Sequence, residues 1–496
     1  MRHLSAIACL FLIAPDELPA NTDAEAFGRA AQIVRQAADA LGGEARLLGL
    51  ESISFSYEGR VSVPHQGTTI DDLQVFDYRQ DVQATFRPLR IRSVTSFGGS
   101  AETSFESVSF IDGDQASSQR DIARLLRASP HALVRHLLEN PRNVLVVHEG
   151  ASEYRLAARF HGELVVLHVG KGDGLVQRVV RVFDDVRHGD SAAILEFPEY
   201  EPRSGWHVPK SLRSTEAGHL VIDVPYSQYS LARVEPSQVR EPTADSVAPS
   251  DSPGTPREHG DLKLGNGITL LRNSGGFDYH SLLVETPEGA ILIEAPGAVD
   301  DGKATLERAR SATQSPLRYI AGTHHHDDHS GGMAGAVFEH AHVVVAQAEI
   351  PFFRDLLAAK RSFARSAHEP VTDVTIEAVP TGGEREILKR VIAIDAGPSG
   401  HSESHLVFYV PDTGLLFQSD MAVFRWDGSV EPARAQTCRL RKVIDERKLV
   451  VRTLAGGHGR PGTMEDLDRA IALRDEGCDA DASEAISDRQ TRLQAR

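Results

Sequence analysis

Two periodicities organise the chain. Ala24, Phe27, Ala30, Ala31, Val34, Ala37, Ala38 and Leu41 recur every three or four positions, and Gly42-Gly43 follows. That spacing predicts an amphipathic helix over 23–41 with a glycine stop. From Leu47 the period drops to two. Ile53, Phe55 and Tyr57 alternate with serines, and Val61 and Val63 follow. Val75, Val82, Ala84, Phe86, Leu89, Ile91 and Val94 continue in short runs between polar turns. Such runs predict an antiparallel meander with one solvated face. Residues 121–140 read as helical, interrupted at Pro130. Strand patterns resume at 143–148, 154–160, 163–168, 177–183, 193–197 and 220–224. A helix on a long antiparallel sheet predicts an α+β domain in which a curved sheet, a half-barrel, wraps the helix.

Residues 241–260 are rich in Pro, Ser, Asp and Thr and have little to bury, so they read as a linker. Beyond them strand and helix patterns alternate. Strands are expected at 268–271, 281–285, 290–294, 318–321, 342–346, 391–395, 406–410 and 415–418. Helices are expected at 301–313, 351–363 and 466–474. That alternation predicts an α/β layered domain. At the start, Met1-Arg2-His3 is basic, Leu4 to Ala14 is apolar, and Leu18-Pro19-Ala20 offers a cleavage site. This pattern reads as a secretory signal peptide, too short to span a membrane. The expected organisation is a signal peptide at 1–20 and an antiparallel half-barrel accessory domain at 21–240. The linker at 241–260, a layered domain at 261–478 and a polar tail at 479–496 follow. The expected location is periplasmic or secreted.

Charge narrows the partners. The 496 residues carry a formal net charge of -17. A nucleic-acid partner would want a basic face, and an anionic membrane surface would repel this chain. The expected partner is a small-molecule substrate, with no nucleic acid and no stable membrane insertion. Oligomeric state is left open. If Cys9 leaves with the signal, Cys438 and Cys478 remain, and spacing does not show whether they pair.

The chemistry concentrates in Thr323-His324-His325-His326-Asp327-Asp328-His329-Ser330-Gly331-Gly332, directly after an apolar strand. Imidazole and carboxylate are metal-binding groups, and strand ends in α/β sheets open onto one crevice. The segment resembles the His-x-His-x-Asp-His signature of the metallo-β-lactamase superfamily. The resemblance covers about 268–474 and implies an αββα sandwich. It implies that His324 and His326 hold a first metal and that Asp328 and His329 hold a second. Gly400-His401-Ser402 resembles the family's Gly-His-(Ser/Thr) motif, which makes His401 the third ligand of the first metal. Asp420, ending an apolar strand, matches the bridging aspartate, and His458 in Gly456-Gly457-His458-Gly459 matches the final histidine.

The resemblance implies two zinc ions, with iron or manganese as alternatives. It implies hydrolysis by a metal-bound hydroxide, with Asp328 holding the second metal and orienting the nucleophile. The implied substrate is a carbonyl ester, lactone, thioester or amide. Candidate substrate contacts are Tyr279, His280, Arg425 and Trp426. His405 is a further candidate, either at the substrate or supporting a neighbouring ligand. Glu294-Ala295-Pro296-Gly297 departs from the Asp-Thr-Gly that many relatives carry, which weakens any carry-over from antibiotic-hydrolysing enzymes. In the first half, Leu175-Val176-Gln177-Arg178-Val179, Tyr200 and Gly205-Trp206-His207-Val208-Pro209-Lys210 resemble lipoprotein-carrier-like half-barrels. Two rival functions follow from these resemblances. One is a mononuclear-iron oxygenase on the same fold, and the other is a non-enzymatic carrier of an apolar ligand.

Overall fold

The helix expected over 23–41 forms as Asp23–Leu41, and its stripe of Ala30, Ile33, Val34, Ala37, Ala38 and Leu41 is buried in the computed structural model. The structure describes residues 23–98, 105–113, 119–234, 239, 260–272, 278–364, 366–474 and 477–478. The signal peptide, the linker apart from Gly260, and the polar tail lie outside these residues.

The stripe packs on an eleven-stranded sheet. In spatial order its strands are Phe105–Asp112, Leu89–Gly98, Gln74–Phe86, Ser52–Val63, His219–Ser230, Ser211–Glu216, Gly189–Glu196, Val176–Asp185, Glu163–Gly170, Glu153–Phe160 and Val144–Glu149. The pairings are antiparallel, as the alternating pattern requires. Phe55, Val82, Ile91, Leu156, Val165 and Leu167 form one core with the helix. A second helix, Pro130–Glu139, joins that core, with Ser129 capping its first turn by accepting from the Ala132 amide. Pro130 therefore starts a helix rather than kinking one, because its missing N–H falls where a helix has no use for it.

The chain divides into two units, but not at one boundary. Residues 64–74 and 184–190 group with the second half. Assigning all of 21–240 to one accessory domain is thus corrected. These two stretches carry no alternating apolar run, and their polar groups find partners among residues of the second unit.

The second unit has four layers. One seven-stranded sheet runs in the order Leu262–Gly265, Ile268–Leu271, Ser281–Thr286, Gly289–Ile293, Leu317–Ala321, His342–Ala346, Thr375–Val379. Its last four strands are parallel. A five-stranded sheet runs Glu384–Ile387, Val391–Asp395, Leu406–Val410, Leu415–Phe417, Thr453–Ala455. Alternate side chains sort the layers. Ile268, Leu282, Ile291 and Ala321 meet Val391, Leu406, Phe408 and Phe417 between the sheets. Leu283, Leu292 and Ile320 face the opposite way, onto Val299, Leu306, Phe352 and Phe353 of the helices Val299–Ala312 and Ile350–Ala358. Val407, Leu416 and Leu454 pack on Leu440, Val443 and Leu467 of the helices Ala435–Glu446 and Met464–Ala472. This is the αββα arrangement. The fold class is α+β with a large antiparallel sheet in one unit and a layered sandwich in the other. Cys438 and Cys478 are joined in a disulfide. Among the described residues no helix is long and apolar enough to cross a membrane.

Candidate metal centre

Strand ends carry the site. Leu317–Ala321 stops at Gly322, where an added Cβ would sit 2.5 Å from Phe353, and the next residues leave the sheet as Thr323 to His326. Asp327–Ser330 makes one helical turn, and Gly331-Gly332 lets the chain pass against the Ala295–Gly297 backbone before Met333–Ala336. His401 lies on the loop between Val391–Asp395 and Leu406–Val410. Asp420 follows Leu415–Phe417, and His458 follows Thr453–Ala455.

The side chains form two clusters whose ligand atoms lie within 4.8 Å of one another. His324, His326 and His401 make the first, and Asp328, His329, Asp420 and His458 make the second. The seven residues singled out as ligands in the sequence are the seven brought together here. Nε2 of His324 and Nε2 of His401 are 3.1 Å apart. Asp420 faces both groups. Its Oδ2 is 3.3 Å from His401 Nε2, and its Oδ1 is 2.8 Å from His329 Nε2 and 3.2 Å from His458 Nε2. Asp328 Oδ2 lies 3.5 Å from His329 Nε2 and 3.6 Å from His458 Nε2.

These atoms fit a cation better than they fit one another. His326 Nδ1, His329 Nε2 and Asp420 Oδ1 are buried without a hydrogen-bond partner, and the short His329–Asp420 approach lacks hydrogen-bond alignment. Buried polar atoms are rarely left so, and a metal would satisfy all three. Burial, reinforced by the neighbouring histidines His405 and His326, pushes His324 well below the usual histidine range. Burial and the neighbouring His401 do the same to His326. Both rings are therefore neutral and have lone pairs to give. In the second cluster burial opposes charge on the histidines, but carboxylates win. Asp420, Glu294 and Asp328 hold His329 well above its usual value, and Asp420 and Asp328 push His458 up to about 10. The aspartates thus favour positive charge at this cluster, which is what a bound cation would supply.

Ligand orientation comes from partners behind the first layer. Glu294 is fully buried at φ 65°. Its Oε2 is 3.0 Å from His329 Nδ1, and its Oε1 accepts from the hydroxyls of Thr323 and Ser419. His325 Nδ1 lies 2.9 Å from Glu349 Oε1. Such contacts fix tautomer and ring angle.

The candidate substrate residues separate. Tyr279 stands beside the second cluster, its ring 5.0 Å from that of His458. Burial and the nearby Asp328 push its phenol up to about 12. His280 is fully buried and its Nε2 is bound to the Gly459 carbonyl at 2.9 Å, so it braces the His458 loop instead of meeting a substrate. Arg425 is held by Glu431 at 2.8 Å. Trp426 is 37% exposed, donates to Asp278 and carries Arg272 over its ring. His405 is fully buried and stacks on His324 at 4.5 Å between ring centroids, which makes it a support for a ligand and not a substrate contact.

Residues 274–459 match the model of the metallo-beta-lactamase superfamily. The resemblance read in this half of the sequence is thereby shown. Among similar solved structures, the metallo-β-lactamase from Hirschia baltica is 17% identical and covers 43% of this chain and 96% of its own, with a TM-score of 0.32. That from Pontibacter korlensis is 20% identical and covers 43% and 97%, also at 0.32. An inverting sec-alkylsulfatase from Pseudomonas sp. is 15% identical, covering 43% of this chain and 40% of its own, at 0.32. No curated protein sequence matches the chain significantly. The metallo-beta-lactamase superfamily match and the two His/Asp clusters support a metal-dependent hydrolase-type function. Within the matched region, sequence reading missed the contacts of Glu294, Thr323, Ser419 and Glu349. A buried acidic residue ending a strand beside the motif was the one signal for Glu294, and it was read only as a departure.

Proposed function

We propose that the second unit is a dinuclear-zinc hydrolase acting on a carbonyl ester, lactone, thioester or amide. The observation that carries this reading is Asp420, whose two oxygens face different clusters, Oδ2 toward His401 and Oδ1 toward His329 and His458. His324, His326 and His401 would hold one zinc, and Asp328, His329 and His458 the other, with Asp420 shared. Bound zinc supplies an acidified water and an electrophile for a carbonyl oxygen. The chain supplies the rest. Asp328 and Asp420 offer carboxylates that orient a nucleophile, and the phenol of Tyr279, kept protonated near neutral pH, offers a hydrogen bond at the edge of the second cluster. Neutral imidazoles with carboxylates suit zinc. Elemental analysis of purified protein should find about two zinc per chain, and a panel of esters, lactones, thioesters and amides should show turnover that a chelator abolishes. About one iron and no zinc would refute this reading in favour of the oxygenase.

The same proposal includes export. The basic start, the apolar run and the Cys438–Cys478 disulfide all suit an oxidising compartment. Mass spectrometry of native protein should find a chain starting near residue 21 outside the cytoplasm, and a retained Met1 would refute export.

A further inference from the structure

The segment around Gln66 and Gly67 comes from the first half of the sequence but belongs to the unit that holds the clusters. Its polar atoms meet the ligand loop directly. The carbonyl of Gly67 lies 2.9 Å from Nε2 of His326 and 3.1 Å from Nε2 of His325. The amide of Gln66 donates to Asp327 Oδ1, and to Asp328 Oδ1 at 3.0 Å. The Thr68 carbonyl accepts from the Glu403 amide at 2.7 Å, on the loop that carries His401.

This stretch is anchored from behind. His65 Nε2 is 2.9 Å from Asp185 Oδ2, and both residues are buried. Asp185 Oδ1 accepts from the Arg187 and His188 amides and pairs with His188 Nδ1 at 3.0 Å. Arg187 reaches the Ile70 carbonyl at 3.1 Å and Asp71 at 2.8 Å. In the His65, Asp185 and His188 group these close approaches pair a nitrogen with an oxygen. That matches a hydrogen-bonded clasp, unlike the nitrogen-to-nitrogen approach of His324 and His401.

We propose that Gln66 and Gly67 are positioning residues for the metal centre, set in a strap that the clasp holds in place. The Gly67 carbonyl accepts a hydrogen bond from Nε2–H of His326. The ring's lone pair is then left on Nδ1, which is buried without a hydrogen-bond partner, on a residue of the first cluster. Gln66 occupies Oδ1 of Asp328, which leaves Oδ2 for the second cluster. The inference rests on the two-zinc reading above. It extends that reading by assigning ligand orientation to residues outside the matched region of 274–459.

The test uses full-length protein with zinc alone, in equilibrium competition against a chromogenic chelator, and with cobalt(II) read by visible absorption. Gln66→Ala removes the donor to Asp328. Gly67→Ala places a Cβ 2.3 Å from the Asp72 carbonyl oxygen, so the strap must shift and carry the Gly67 carbonyl away from His326. Gln66→Ala should weaken one zinc equivalent by roughly ten- to a hundredfold and leave the other unchanged. Gly67→Ala should weaken the other equivalent, with a changed cobalt spectrum. Thermal melting of the metal-free proteins should stay near wild type for Gln66→Ala. Unchanged affinities in Gln66→Ala would overturn the strap and leave the two-zinc reading intact. Equal weakening of both equivalents together with a lowered melting temperature would also overturn it, since that is loss of fold and not of orientation. Wild-type protein binding fewer than two zinc would overturn the two-zinc reading, and the strap with it.

Discussion

Asp420→Ala should damage the site more than any change behind it. The carboxylate is only 12% exposed and stands between three imidazoles, 3.3 Å from His401, 2.8 Å from His329 and 3.2 Å from His458. Burial disfavours its charge, yet His329 and His458 hold it well below the usual carboxylate range. It is therefore an anion under any ordinary condition. Its removal takes away a carboxylate whose two oxygens face different clusters, and leaves Asp328 and, behind His329, Glu294 as the carboxylates near the second. In the two-zinc reading the second metal is weakened and nucleophile placement is lost. A loss of a hundredfold or more in turnover corresponds to about 2.7 kcal/mol or more of barrier. His405→Ala is the control. Its ring touches His324 from behind, so its loss should cost roughly ten- to a hundredfold in metal affinity or rate, with a cavity penalty visible in melting. The assay is turnover on any hydrolysed substrate, with zinc content measured for both variants. If Asp420→Ala keeps two zinc and near-normal turnover while His405→Ala loses both, the third ligand has been placed four residues too early.

Other consequences follow from single contacts. Glu294→Gln keeps an acceptor for Thr323 and Ser419 but removes the charge facing His329 Nδ1, so zinc affinity should fall roughly tenfold or more in chelator competition while the fold persists. His131 is fully buried, with Nδ1 2.8 Å from the Tyr229 hydroxyl, and burial pushes it down to about 3. The unfolded chain binds a proton there below about 6.5 and the folded chain does not, so stability falls as pH drops through that window. From pH 7 to pH 5 the loss should be about 2 kcal/mol in denaturant midpoints, and His131→Asn should flatten that part of the slope. Cys438→Ser opens a bridge that spans 40 residues of sequence, so loop entropy predicts a loss of up to about 4 kcal/mol in the stability of the second unit, read by thermal melting under non-reducing conditions.

Much of the sandwich was legible because its inner strands are short and continuously apolar. Leu406–Val410 and Val391–Asp395 formed where the pattern put them. Thr375–Val379 and Glu384–Ile387 did not show themselves, since edge strands with polar faces carry little periodic signal. The helix Ala435–Glu446 was hidden for a related reason. Its buried stripe of Leu440, Val443 and Ile444 is short and sits among arginines, a lysine and acids. The ligands were legible because their order and spacing are local features. What holds them was not, because it depends on contacts between residues far apart in sequence. Gly67 and His326 are separated by 259 positions, and Glu294 and Ser419 by 125.

Glu294 shows why this matters for function. The sequence departs here from the Asp-Thr-Gly of many relatives, and the departure weakens the carry-over from antibiotic-hydrolysing enzymes. In the structure the longer side chain sits on a backbone at φ 65° and still reaches three donors, one of them a ring of the second cluster. A buried carboxylate is costly unless its oxygens are satisfied, and these are. Glu294 therefore orients His329 from behind while Thr323 and Ser419 hold its other oxygen. Glu294 and the Gln66–Gly67 strap both reach the ligand loop through satisfied polar contacts, and neither belongs to the motif that supplies the ligands.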